Sequence, residues 1–420
     1  MKNNVNNLMT AFKVNKFLYM LVFLMMLVSD DSFWFGVSEI ESLVFVKFAF
    51  IAALPILLYS YKSKFFFIGN NGVVAVVFVS FLLMLSSFVN SFKLFSGTTL
   101  AVFLLIAGFL FVRKFPFQLF GKTFSDVTLV IIGYSLLIYL VIVTNVISPS
   151  SITNVGGYEY RTFGGCLYTF NGVFYRNSAI FREAGMFMIF INMAFLFDIL
   201  IMQSIPTIKI MFYGIGILTT FSTGGIFTFF TLLLLYVLKG RKSKNTGLVV
   251  IAAVVAIYIA IGSEDFMDTI FGKLESGLDN GSTLNRWATM VIPLYIMMNN
   301  PIFGCGFDNY ADMFRMHSQK AIGFFVDESG STNTIMSSGA IWGIWMSVFW
   351  IVTLWLFSKR FVEKNNTYAI LIFVALFMMF SNEVRYFSAF SYIIAFYGIG
   401  GMYKIKEKKY GVQKQNSQCV

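Results

Sequence analysis

Apolar runs long enough to cross a bilayer recur along almost the whole chain. They constrain its fold more than any other feature. Residues 73–89 read VVAVVFVSFLLMLSSFV, and 184–202 read AGMFMIFINMAFLFDILIM. A hydrocarbon core about 30 Å thick takes roughly 20 predominantly apolar residues per helix. Continuous runs exclude a β-barrel, which would show alternating segments of about ten residues instead. Lipid offers the backbone no water, so helices that satisfy their own hydrogen bonds are the remaining solution. An all-α polytopic membrane protein is therefore expected. The composition agrees: 58% of the residues are hydrophobic, 12% are charged, and the mean hydropathy is +0.76.

The runs place spans at 12–29, 43–60, 71–89, 94–112, 127–148, 184–202, 209–221, 225–238, 246–262, 337–357, 367–380 and 389–403. Taken together they make about twelve spans in a single transmembrane domain over 1–420. The pair 209–221 and 225–238 is short, and FSTGG at 221–225 breaks the helix between them. The pair reads either as two short crossings or as a re-entrant hairpin covered by its neighbours. Lysines precede the first run and no small-residue cleavage site follows it, so that span is expected to be retained. With the N-terminus inside, Lys13, Lys16, Lys62, Lys64, Arg113, Lys114, Lys122, Lys209, Lys239, Arg241, Lys242, Lys359, Arg360, Lys404 and Lys406 share one side. By the positive-inside rule this is the cytoplasm, and both termini face it.

The net charge of +11 is thus a topology signal, and no nucleic-acid partner is expected. Three cysteines and one histidine, His317, show no metal spacing, so neither a metal nor a cofactor is expected. Cys166 and Cys305 fall one in each outer loop, which leaves a bridge between them open in an oxidising compartment. Trp342, Trp345, Trp350 and Trp355 flank one span and read as residues of the lipid interface.

Two outer segments, 149–183 and 263–336, carry most of the polar content. The longer one contains an amphipathic stretch at 282–299, in which Leu284, Trp287, Ala288, Val291, Leu294 and Tyr295 recur at helical spacing. It is expected to lie on the membrane face, ending at Pro301. The outside holds six arginines (Arg161, Arg176, Arg182, Arg286, Arg315 and Arg385) against Arg113, Arg241 and Arg360 inside. That runs against positive-inside sorting. Guanidinium groups hold phosphate or carboxylate bidentately and stay charged when partly buried, so a membrane-anchored phosphate is a natural ligand. The bland reading pairs them with Glu159, Glu183, Asp308 or Glu383 to hold loops together. In YRNSAIFREAGMFM at 175–188, Glu183 opens a helix, where the macrodipole favours a carboxylate and where it could also orient a sugar hydroxyl. In PIFGCGFDNYADMF at 301–314, Gly304 and Gly306 read as a turn, followed by Asp308 and Asn309. His317 reads either as a base or as a surface residue.

These stretches resemble the O-antigen polymerase (Wzy) and O-antigen ligase superfamily, integral membrane glycosyltransferases of GT-C type. NRWATMVIPLYIMMNNPIFGCGFDNYADMF is similar to the family's large-loop pattern, SAIFREAGMFMIFIN to its arginine, acidic residue and glycine at a helix start, and LTTFSTGG to a later serine-containing turn. The likeness covers about 149–343. Arg161 and Gly172 fit a spacing of an arginine followed by a glycine that some polymerases repeat, although the second loop lacks it. Ligases carry a His-Asn pair where this chain has Thr332 and Asn333, which favours a polymerase.

The resemblance implies joining of undecaprenyl-diphosphate-linked oligosaccharides on the periplasmic face of a bacterial inner membrane, without a metal. Arg176, Arg182, Arg286, Glu183 and Asp308 would be catalytic. Arg161, Gly172, Asn309, His317, Asn333 and Arg385 would bind substrate. A chain-length regulator and a flippase would be partners. A ligase, or a flippase for the same lipids, is the competing reading; no internal repeat of the kind transporters show is evident.

Overall fold

The apolar runs fold as helices. A computed structural model describes residues 16–28, 32–36, 41–61, 70–90, 96–144, 148–155, 158–170, 175–239, 281–322, 333–362, 365–383 and 385–400. Its helices are α1 (Lys16–Val28), α2 (Phe33–Gly36), α3 (Glu41–Ser60), α4 (Asn70–Val89), α5 (Gly97–Lys114), α6 (Phe117–Val143), α7 (Ala184–Ile201), α8 (Thr207–Thr220), α9 (Thr223–Leu238), α10 (Gly281–Asn299), α11 (Tyr310–Ile322), α12 (Thr334–Trp342), α13 (Ile344–Arg360), α14 (Asn366–Asn382) and α15 (Ala389–Ile399). Among the described residues four helices, Asn71–Val89, Gly97–Lys114, Phe117–Ile142 and Ala184–Ile201, are long and apolar enough to cross a membrane, and several shorter apolar helices accompany them. The protein is a mostly helical membrane protein. The span expected at 246–262 lies outside the described residues.

α7 is the axis of the bundle. Its side chains are buried through almost its whole length, against α6, α8 and α9. Phe124 of α6 packs against Phe197 of α7 and Phe390 of α15, each at 5.1 Å between ring centroids. Such edge-to-face pairs add specificity to close packing, which lipid-embedded helices rely on because lipid tails are as apolar as their side chains.

The polar segment before α7 departs from the all-α expectation. It forms a four-stranded antiparallel sheet of β1 (Ser151–Val155), β2 (Tyr158–Phe163), β3 (Cys166–Phe170) and β4 (Tyr175–Ala179), in that order. Gly164 and Gly165 turn β2 into β3 at φ +51° and +80°, the conformation of a tight two-residue hairpin. β4 lies against α6, α7 and α8, and β1 is the outer edge.

The span expected at 337–357 is two helices, broken at Gly343. Here φ is +113° and ψ is 161°, a region open essentially to glycine alone. The 301–306 turn fills the break. Cys305 and Gly306 donate their N–H groups to the carbonyls of Ala340 and Ile341, and Ile344 donates to the carbonyl of Pro301, all at 2.9 Å. Ser86 and Asn90 of the α4 end both donate to the carbonyl of Phe303. The turn thereby gives partners to the Ala340 and Ile341 carbonyls and the Ile344 N–H, which the break would otherwise leave without their helical bonds. A Cβ on Gly343 would sit 2.1 Å from the carbonyl oxygen of Ile302. Gly343→Ala should therefore cost at least the ~1–3 kcal/mol of a strained backbone. A clear drop in melting temperature in detergent is expected; unchanged melting would remove the break's structural importance.

Two further expectations are corrected, and one question left open is answered. Trp342 and Trp350 are fully buried, donating to Thr98 Oγ1 and Ser338 Oγ at 3.0 Å, because their spans are packed inside the bundle. Cys166 and Cys305 are thiols in separate places, one inside the sheet and one in the 301–306 turn, with no disulfide between them. Burial pushes the Cys166 thiol up to about 12, where it is inert. α10 buries Ala288, Ile292 and Ile296 against its neighbours while Leu294 and Tyr295 stay exposed, so its inward stripe is rotated from the one expected.

Candidate functional site

Asn382, Glu383 and Arg385, at and just after the end of α14, meet the starts of four other helices. Thr334, the first residue of α12, donates its hydroxyl to the Glu383 carbonyl at 2.6 Å and accepts the Arg385 N–H at 2.7 Å. The Glu383 carboxylate fills the space beside Gly185, in the first turn of α7. The Asn382 amide lies against Gly224, in the first turn of α9. Arg385 donates to Ser388 Oγ, at the start of α15, at 3.0 Å. Its guanidinium also stands over the Phe190 ring of α7, 4.8 Å from the centroid. Asn192 of α7 donates to the Gly225 carbonyl at 3.1 Å, fixing the start of α9 on α7.

Four helix N-termini, those of α7, α9, α12 and α15, therefore converge. Each presents the positive end of its dipole, with α9 and α12 already capped by the side chains of Ser222 and Asn333. Two more arginines join them. Arg176, on β4, donates to the Thr220 carbonyl at 3.2 Å, beside the α8–α9 turn. Arg182 immediately precedes α7 and pairs with Glu183 at 3.5 Å. Glu183 is the N-cap residue of α7 but makes no side-chain cap hydrogen bond. The rim is half-exposed (Arg176, Arg182, Glu183, Thr223, Asn382), and the floor is buried (Ser222, Glu383, Arg385). Such an arrangement attracts anions, and phosphate oxygens above all.

The other expected residues are distributed around this convergence. Asn333 caps α12, its Oδ1 accepting from the N–H groups of Ile335 and Met336 at 3.1 and 3.0 Å, directly beside Thr334. Asp308 and Asn309 are exposed. They follow Phe307, whose ring packs on Tyr386 and Phe387 at 6.3 and 5.2 Å, so the turn lies next to 382–388. Asn309 closes its own turn, donating to the Cys305 carbonyl at 3.1 Å.

Arg161 stands apart on β2, stacked over Phe170 and Tyr175 at 4.5 and 5.1 Å and paired with Glu159, whose hydrogen bond raises its pKa. His317 is buried on α11 with its ring against Tyr295 of α10, rather than solvated on a loop. Burial, and then Lys320, hold it below the usual imidazole pKa, so it is neutral near pH 7. Arg286 lies on α10, and its side chain is outside the described residues, as is Gly172.

Sequence reasoning missed the parts played by Thr334, Asn382 and Gly185, and treated Glu383 only as an ion-pair partner. The available signal was a short run with both charges between two apolar helices. It also missed Asp198, a lone carboxylate inside the apolar run of α7. Asp198 pairs with Lys209 of α8 at 2.7 Å and accepts from Tyr213 Oη at 2.7 Å.

No protein-family model matches the chain, and no curated protein matches it.

Proposed function

We propose that the chain is a polysaccharide polymerase of the O-antigen polymerase kind, joining undecaprenyl-diphosphate-linked oligosaccharides on the periplasmic face of a bacterial inner membrane. The observation that carries this reading is the convergence of Arg176, Arg182 and Arg385 with four helix N-termini at one end of the bundle. A hydroxyl of one repeat unit attacks the anomeric carbon of the other chain, and undecaprenyl diphosphate departs. The largest charge change is on the leaving diphosphate, so fixed positive groups stabilise the transition state more than the ground state. The reading needs no metal or cofactor.

Its topology is about twelve spans with both termini cytoplasmic. The basic Lys209 and Lys239 then mark the inner ends of α8 and α9, and the helix starts at 382–389 mark the outer end, level with a lipid's phosphates. Arg286 on α10 and Arg161 on β2 contact the sugars or the second lipid. A chain-length regulator and a flippase act beside it.

Deleting the gene in its host and running surface lipopolysaccharide on a gel tests the reading. Core bearing a single repeat unit is expected, since flipping and ligation survive while polymerisation stops. Bare core would overturn the polymerase in favour of a ligase or a flippase.

A further inference from the structure

We infer that Glu383 is the catalytic base of this reaction, and that its carboxylate depends on the space left by the missing side chain of Gly185. The inference rests on the polymerase reading above. A Cβ on Gly185 would lie 2.0 Å from Glu383 Oε1, so the carboxylate occupies that place against the first turn of α7. Its backbone is held too. Thr334 bonds the carbonyl of Glu383 and the N–H of Arg385, which bracket Val384. Glu383 is only 8% exposed, while Asn382 before it and Gly185 against it are partly exposed, so the carboxylate lies just beneath the surface.

The other carboxylates are less well placed. The Glu183 side chain is 43% exposed, and Asp308 is exposed in the turn before α11. A general base must sit within hydrogen-bond reach of the proton it takes, next to the group that leaves. Glu383 is two residues from Arg385 and shares the helix-start convergence with it.

The step balances as follows. The hydroxyl proton of the acceptor sugar passes to the Glu383 carboxylate, and its oxygen forms a bond to the anomeric carbon. The bond from that carbon to the phosphate oxygen breaks. The electron pair leaves on undecaprenyl diphosphate, beside Arg385 and the helix starts.

The test uses the full chain. In the deletion host, Glu383→Gln should reduce the polysaccharide ladder about a hundredfold or more at wild-type membrane levels. The same variant, purified in detergent, should still be stabilised against heat by undecaprenyl diphosphate, at least as well as wild type, because a negative charge has been removed from an anion site. Gly185→Ala keeps the carboxylate but displaces it. The displaced group is the end of a flexible side chain, so the variant should fold, and it should lose the ladder as well. If Glu383→Gln fails to reach the membrane, Gly185→Ala decides. A wild-type ladder from either variant would overturn the role of Glu383 while leaving the polymerase reading intact. Bare core in the deletion host, with no stabilisation of wild type by undecaprenyl diphosphate, would overturn that reading itself.

Discussion

Replacing Arg385 with Ala is expected to cut polymer formation by a factor of about 10²–10³, the usual loss when one fixed donor to a developing anion is removed. Arg385 is 1% exposed, stacks over Phe190 and is anchored by Ser388 Oγ, so its guanidinium is placed before substrate arrives. Such preorganisation is what makes a donor worth several kcal/mol in a water-poor site. Arg385→Lys should recover little, because a point charge on a flexible stem replaces neither the planar stacking nor the fork. Arg385→Gln keeps bulk and a donor while losing the charge. If Gln supports a normal ladder at normal membrane levels, the arginine serves the fold and the proposed site loses its centre.

Asp198→Asn should lower stability by ~3–5 kcal/mol, the usual result of breaking a buried ion pair from one side. The proton assignments of this cluster are consistent. Tyr213 donates to Asp198, Ser125 donates to Tyr213, and Lys209 donates to both Ser125 and Asp198 at 2.8 and 2.7 Å. Asp198 and its side chain are almost wholly buried, and Lys209 is mostly so. The amide would leave the lysine charge without its counterion amid apolar helices. Joint replacement by Asn and Met should recover part of the loss, since removing both charges avoids the uncompensated one. Thermal unfolding of the two variants in detergent checks this. Equal melting of Asp198→Asn and wild type would show that the pair contributes nothing to holding α8 on α7 and α6.

The polar, arginine-rich segments of the sequence end up unevenly placed in the fold. Arg176, Arg182 and Glu183 do cluster, because they lie within eight residues of each other across one strand and the start of one helix. His317 does not fit the expectation of a solvated loop histidine, since the amphipathic pattern of α11 turns it toward α10. The sheet was legible in principle, for Gly164–Gly165 sits between two runs of β-branched and aromatic residues at strand spacing. The dominance of long apolar runs drew the reading to helices alone. The glycines of 301–306 read as a turn, and they are one. Their purpose, filling the break at Gly343, depends on the carbonyls of Ala340 and Ile341, far along the chain.

The sequence by itself determined that this is a helical membrane protein and where most of its helices begin and end. Both follow from local chemistry: apolar runs must satisfy their own backbone within lipid. Only the tertiary structure decided which helix starts meet, that Glu383 rests on Gly185, and that Asp198 has a lysine to face. Those contacts join residues far apart in the chain. Their geometry is set by how the helices pack, and no periodicity or spacing along the sequence encodes it.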